Sequence, residues 1–298
     1  MNQRISVIEP IGVDPGLIKE RITDCDLHVV DSTGWPDEKL IATLADTEIL
    51  ALTYRELSYQ VISSLPQLKM ISVAFAGIDH VDERAVAERN IVVKNAAGYA
   101  NTAVGELVVG LMICTARQIP QLDAAMRKHP TTAEPGSELR GKTLGVVGFG
   151  AIGREVARLA DVFGMTVVTY DAENERSDLE KLFADSDYVS IHLPLNDTTT
   201  GMIDSSLLGL MKPSAVLINA ARGAILNHDD VVRALDNHSI AGMAFDVFDV
   251  EPPIPTDHPF LAYDNVIATP HIGFDTNEAL ATKGQICIDH IADYCTGT

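Results

Sequence analysis

Three short stretches of this sequence combine side chains that can move a proton and hold an anion. Asn219–Ala220–Ala221–Arg222–Gly223 puts a guanidinium just past an apolar run. Such a group clamps a carboxylate with two parallel hydrogen bonds and polarises a neighbouring carbonyl. Taken alone, an Arg in a surface turn fits the same residues. Asp246 through Glu251–Pro252 follows another apolar run. Asp246 can accept from a carboxamide N–H, and Glu251 can orient and charge-stabilise a histidine, although a Glu before Pro-Pro in isolation reads as a solvated loop acid. Thr269–Pro270–His271–Ile272–Gly273 follows a third run. Histidine is the side chain whose ordinary pKa suits proton transfer near neutrality, and a nearby carboxylate keeps its imidazolium available to donate. Of the nine histidines, His28 and His192 sit in strand patterns and His129, His238 and His258 in polar loops. Only His271 shares a strand-end setting with an Arg and a Glu.

The segment 141–171, GKTLGVVGFGAIGREVARLADVFGMTVVTYD, supplies a second kind of chemistry. An apolar run over 144–147 ends at Gly148, and Gly148, Gly150 and Gly153 complete a GxGxxG. A helical pattern (Ile152, Val156, Leu159, Ala160) and a second apolar run, 166–170, lead to Asp171. Strand, glycine turn, helix, strand and acid make a dinucleotide-binding unit. Gly148 permits the tight turn, Gly150 admits a pyrophosphate close to the backbone, and Gly153 lets the helix pack on the strand. The helix N-terminus offers free N–H groups to the phosphates. Asp171 lies about 20 residues beyond the glycines, where an acid hydrogen-bonds the ribose hydroxyls. With no Arg or Lys after it until Arg176, NAD is favoured over NADP.

These residues require elements that bring strand ends to one rim. Short apolar runs at 6–8, 27–30, 49–52, 70–75 and 91–93 alternate with helical or polar stretches, the pattern of a parallel sheet with crossovers. The spacing predicts a linker helix over 55–69 and a long apolar helix over 101–128, buried between domains or subunits. Residues 129–140 read as a surface loop. Beyond Asp171 the rhythm continues as helix 178–185, strand 188–193, helix 204–211, strand 215–219, helix 228–236, and strands 242–247 and 265–269. A terminal helix over 275–295 opens on a capping box of Asp275 and Glu278. The expected fold is α/β with two doubly wound parallel-sheet domains. A flavodoxin-like domain (1–97 plus 275–298) carries an inserted Rossmann domain (98–274).

At 298 residues the chain is long enough for two such domains. A net charge of −20 argues against a nucleic-acid partner, because phosphate backbones need clustered Lys and Arg. It does not exclude an anionic substrate, since one Arg in a cleft overrides the global sign. The four cysteines show no CxxC spacing and no metal-ligand cluster with histidine. They read as reduced thiols of a cytoplasmic protein. No apolar stretch approaches the roughly 18 residues of a membrane span and no signal peptide is evident.

The motifs AGIDHVD (76–82), GKTLGVVGFGAIG, SIHLPL (190–195), NAARG (219–223), DVFDVEP (246–252) and TPHIG (269–273) resemble, in that order and over nearly the whole chain, the D-isomer-specific 2-hydroxyacid dehydrogenase family. The resemblance implies an NAD-dependent enzyme. Arg222 binds the substrate carboxylate and carbonyl, His271 is the acid/base, Glu251 pairs with it, and Asp246 holds the nicotinamide carboxamide. Cofactor contacts are implied at Gly148, Gly150, Ala151, Ile152, Gly153, Asp171, Pro194, Thr199, Ala220, Ala221, Arg222, Asp246, His271 and Gly273. Substrate contacts are implied at Ala76, Gly77, Tyr99 and Arg222, in an interdomain cleft that closes to exclude water. No metal is implied.

Two features depart from the family. Phe75–Ala76–Gly77 stands where many members have Gly-x-Gly, and the stretch after Asp171 lacks a helix and strand that relatives usually carry. A small unphosphorylated 2-oxo acid of the glyoxylate or hydroxypyruvate kind is the expected substrate, because Arg55 is the one basic residue of the first domain suited to a phosphate. Phosphite- and phosphoglycerate-type dehydrogenases of the same fold, and an NADH-sensing interaction protein, are the competing readings. The apolar 101–128 helix suggests a homodimer.

Overall fold

The computed structural model describes residues 3–129, 132, 134–251 and 255–297. It divides into two compact units, Met1–Ala100 with Thr276–Thr298, and Asn101–Asp275.

The first unit is built on five parallel strands: β1 (Gln3–Val7), β2 (Cys25–Val29), β3 (Ile49–Leu52), β4 (Met70–Val73) and β5 (Val92–Asn95). Their order is β2-β1-β3-β4-β5, the flavodoxin-like arrangement. The two central strands, β3 and β4, are buried along their whole length, as parallel strands covered on both faces must be. Four short helices provide crossovers: α1 (Leu17–Arg21), α2 (Asp37–Thr43), α3 (Tyr59–Ser63) and α4 (Glu83–Arg89). The helix expected over 55–69 shrinks to α3. Before it Leu57 bridges to Val81 in a short parallel pairing, and Ser58 caps it by accepting from Val61 N.

The last helix, α11 (Asn277–Thr296), returns to this unit and buries Cys287, Ile288 and Ile291 with Ile5, Val7, Ile49 and Met70. Its cap corrects the expected Asp275–Glu278 box. Thr276 is the N-cap, its hydroxyl accepting from Ala279 N at 3.1 Å, while Asp275 N donates to Ile272 O in the preceding turn.

The second unit is a six-stranded parallel sheet. Its strands are β6 (Thr143–Val147), β7 (Thr166–Tyr170), β8 (Tyr188–Ile191), β9 (Val216–Asn219), β10 (Gly242–Phe245) and β11 (Val266–Ala268), in the order β11-β10-β9-β8-β6-β7. This is the doubly wound nucleotide-binding order without the strand that would lie beyond β7. The short connection after Asp171 therefore leaves β7 as a sheet edge.

Crossovers run through α7 (Ala151–Val162), α8 (Arg176–Asp185), α9 (Ser205–Leu208) and α10 (His228–Asp236). The helix expected over 204–211 is one turn, capped by Asp204.

The helix expected over 101–128 is two, α5 (Asn101–Arg117) and α6 (Ile119–Lys128), bent by 56°. Pro120 has no N–H for the carbonyl of Ala116, which instead accepts from Ser137 N at 3.0 Å, and Gln118 turns left-handed at φ 52°. α5 packs within its own unit, against α7: a Cβ on Gly105 would lie 2.9 Å from Glu155 Cγ. α6 buries none of its residues. Among the described residues no single helix is long and apolar enough to cross a membrane. Pro130, Thr131 and Ala133 of the 129–140 segment lie outside the described residues, as does Pro252. The four cysteines are free thiols.

Candidate functional site

The glycine turn divides its labour among three positions. Gly148 sits at φ 98°, and a Cβ there would lie 2.7 Å from the His192 carbonyl. A Cβ on Gly153 would lie 2.1 Å from the Gly148 carbonyl oxygen, so α7 can seat on β6 only with glycine. Gly150, the N-cap of α7, has nothing within 4 Å of its missing Cβ. That open side, with the free N–H groups of Ala151, Ile152 and Gly153 at the start of a twelve-residue helix, fits a pyrophosphate. Asp171 follows β7 in a tight turn, its Oδ1 accepting from Ala172 N and its own N–H donating to Asn174. Glu173, Glu175 and Asp178 add negative charge nearby in sequence. Pro194 and Thr199 belong to one turn: the Thr199 hydroxyl donates to the Pro194 carbonyl at 2.7 Å and accepts from Asn196 N.

The carboxyl ends of β9, β10 and β11 lie abreast, Asn219 paired with Phe245 and Phe245 with Ala268. Arg222, Asp246, Glu251 and His271 all leave this rim within a few residues, the crevice side of a doubly wound sheet. Asn219 is buried, and its side chain ties the first turn: Nδ2 donates to the Arg222 carbonyl at 2.9 Å and Oδ1 accepts from Ala221 N at 3.0 Å. Ala220 and Ala221 are held in that loop, and Arg222 Nη1 donates to the Ala221 carbonyl at 2.8 Å.

Asp246 organises the next turn. Its Oδ1 accepts from the Thr269 hydroxyl at 2.6 Å and from Ile272 N at 2.9 Å, and its Oδ2 from Gly273 N at 2.7 Å. Burial raises its pKa against those donors. Asp246 thus folds the 269–273 turn, a task beyond the carboxamide contact implied for it. A Cβ on Gly273 would lie 2.9 Å from Asp246 Oδ2. His271 is held in the left-handed region at φ 53°, a conformation that non-glycine residues adopt where surrounding structure imposes it.

That turn delivers His271 to Glu251. Nδ1 lies 3.0 Å from Glu251 Oε1, and the side chains are 27% and 18% exposed. Glu251 Oε2 is buried without a hydrogen-bond partner among the described residues. The ring of Phe274 meets the imidazole edge-on at 5.5 Å. The pair can therefore hold a proton on Nδ1 and exchange another at Nε2.

The first unit places Ala76, Gly77 and Tyr99 at the carboxyl rim of its own sheet. Asn95 Nδ2 donates to the Ala76 carbonyl at 2.5 Å. Phe75 is half-buried, packed against the core below and against Tyr54 and Tyr99 at ring separations of 4.9 and 6.0 Å. Arg55 is committed to the Trp35 carbonyl at 2.8 Å and to Asp37. Two residues, Asn219 and His258, were not singled out in the sequence for the parts they play. Asn219 was legible only as part of a motif. His258, expected in a polar loop, is buried against Phe245, Phe248 and Phe260, and it shares Asp249 with His228. The aromatic residues that enclose it are distant or hidden behind a Pro–Phe pair.

Residues 109–273 match the D-isomer specific 2-hydroxyacid dehydrogenase, NAD binding domain. The chain is 33% identical to D-3-phosphoglycerate dehydrogenase of Methanocaldococcus jannaschii over 99% of its own length and 58% of that enzyme's. It spans little more than half of the curated phosphoglycerate dehydrogenases it matches. It is 36% identical to glyoxylate reductase of Thermofilum pendens, covering 92% of this chain and 86% of that one. A solved structure of an acyclic imino acid reductase, in complex with NADPH and D-Arg, superposes with a TM-score of 0.88 at 28% identity, covering 99% of this chain and 98% of that one. With its glycine turn, its two doubly wound sheets and these matches, the chain belongs to the D-isomer-specific 2-hydroxyacid dehydrogenase family, and its second unit contains the family's NAD-binding domain.

Proposed function

We propose that this protein is an NAD-dependent D-2-hydroxyacid dehydrogenase that interconverts a small, unphosphorylated 2-oxo acid and its D-2-hydroxy acid. The observation that carries the reading is the 3.0 Å contact between His271 Nδ1 and Glu251 Oε1 at the strand-end rim from which Arg222 also leaves. Bound NADH supplies a hydride to the carbonyl carbon. Arg222 holds the substrate carboxylate and stabilises charge developing on the carbonyl oxygen. His271, its Nδ1 proton held by Glu251, delivers a proton from Nε2 to the nascent alkoxide, and takes it back in the oxidative direction. Asp246 keeps the His271 turn in place.

On this reading the first unit is the substrate domain and the second the cofactor domain. Ala76, Gly77 and Tyr99 receive the substrate, and Asp171 selects NAD. The commitment of Arg55 to Asp37 and the Trp35 carbonyl supports an unphosphorylated substrate over a phosphoglycerate-type one. A cytoplasmic, homodimeric protein completes the proposal: α6 presents Ile119 and Met126 to solvent, a face for a second copy. The test is NADH oxidation against a panel of 2-oxo acids with and without phosphate. Turnover of glyoxylate, hydroxypyruvate or a similar acid supports the reading. Tight NADH binding without turnover would replace it with an NADH-sensing role.

A further inference from the structure

A second cluster of titratable side chains gathers around the segment that leads to Glu251. Asp249, two residues before Glu251, points its Oδ1 at His258 Nε2, 3.3 Å away, and its Oδ2 at His228 Nδ1, 3.4 Å away. His228 opens α10, and its Nε2 lies 3.3 Å from the carbonyl oxygen of Gly223, the residue after Arg222. His258 is buried among the edges of Phe245, Phe248 and Phe260.

Three such groups also suit a metal ion, but the tautomer argues against one. His258 Nδ1 accepts from Phe260 N at 3.4 Å, which leaves the ring proton on Nε2, facing Asp249. That nitrogen has no lone pair to give a cation. One oxygen of the carboxylate is hydrogen-bonded to His258 and the other lies 3.4 Å from the His228 ring, so a single side chain bridges two imidazoles.

The bridge joins two segments that already touch. A Cβ on Gly223 would fall 2.1 Å from the Phe248 carbonyl carbon and 2.3 Å from Asp249 N. The turn that follows Arg222 thus lies directly on the backbone that precedes Glu251. We propose that Asp249, gripped by His228 and His258, is a positioning residue that locks the Arg222 turn to the Glu251 segment and so keeps Glu251 within reach of His271. The proposal rests on the acid/base reading of His271 given above. Asp249, His228, His258 and Asp257 gather at the bridge, and Glu251 and Asp246 lie near His271.

The test compares Asp249→Ala and Asp249→Asn in the full chain. The Asp249 side chain is 40% exposed, so its removal leaves no large cavity. In the Ala variant, kcat for 2-oxo acid reduction falls on the order of tenfold, because misplacement of a catalytic partner is costly. The NADH dissociation constant stays within about twofold, since the cofactor's glycine turn is untouched. Amides 246–251 exchange with deuterium faster. The Asn variant keeps an acceptor and recovers most of the lost rate; it also carries the test should the Ala variant fail to fold. Wild-type kcat and exchange in both variants would overturn the brace. So would micromolar zinc binding by the wild-type protein that His258→Gln abolishes, which makes the cluster a metal site. Should the wild-type chain reduce no 2-oxo acid, the proposed function fails, and the exchange of 246–251 alone decides the brace.

Discussion

Asn219 holds Arg222 by its backbone: Nδ2 donates to the Arg222 carbonyl at 2.9 Å from a fully buried position at the end of β9. The same amide accepts from Ala221 N. Asn219→Ala leaves two backbone groups without their partner, at a cost of about 1–3 kcal/mol. Thermal or urea denaturation should show that loss, with a fall in kcat/KM as the Arg222 turn loosens. Asn219→Asp keeps the acceptor, loses the donor and should fall between. An unchanged stability in the Ala variant would show that the turn holds itself.

On the proposed function, cofactor choice rests on Asp171. Its carboxylate follows β7 at the sheet edge, and no cation intervenes before Arg176. Asp171→Ala removes both an acceptor for ribose hydroxyls and a repulsive charge toward a 2′-phosphate. The ratio of kcat/KM for NADH over NADPH should drop roughly tenfold to a hundredfold, the range of a hydrogen bond to a charged group. A ratio equal to wild type places the selection elsewhere.

His192 gives stability a pH dependence. Burial lowers its pKa to about 4, and its Nε2 lies 2.8 Å from the Ser190 hydroxyl. The native ring is neutral above that value, whereas the unfolded ring takes up a proton below about 6.5. Stability is therefore lost as pH falls from about 6.5 to 4, by up to about 3 kcal/mol from this residue. Urea denaturation at pH 7, 5.5 and 4.5 should show a shallower decline in His192→Gln than in wild type. Equal slopes would mean that other groups dominate acid unfolding.

Much of this was legible because the decisive signals are local. Gly148, Gly150 and Gly153 each meet a steric demand visible within a few residues, and apolar runs that end in Asn219, Asp246 and Thr269 reveal strand ends without a structure. The helix limits were less legible. Pro120 signals the α5–α6 break, but the partner that satisfies Ala116, Ser137, is remote in sequence. The 55–69 stretch carries helical periodicity, yet the pairing of Leu57 with Val81 claims its start for a strand-like bridge. His258 looked solvated because its neighbours in sequence are polar, while the rings that bury it come mostly from the end of β10.

The central claim is that His271 is the proton donor and Arg222 the carboxylate clamp. The direct measurement is steady-state NADH oxidation with the best 2-oxo acid by wild type, His271→Ala and Arg222→Ala, alongside NADH binding by fluorescence titration. The account predicts a loss of about 10²–10⁴-fold in kcat/KM for His271→Ala, the usual scale of general acid catalysis, a loss of similar order for Arg222→Ala, and NADH affinity preserved in both. Turnover at the wild-type rate in either variant would contradict it.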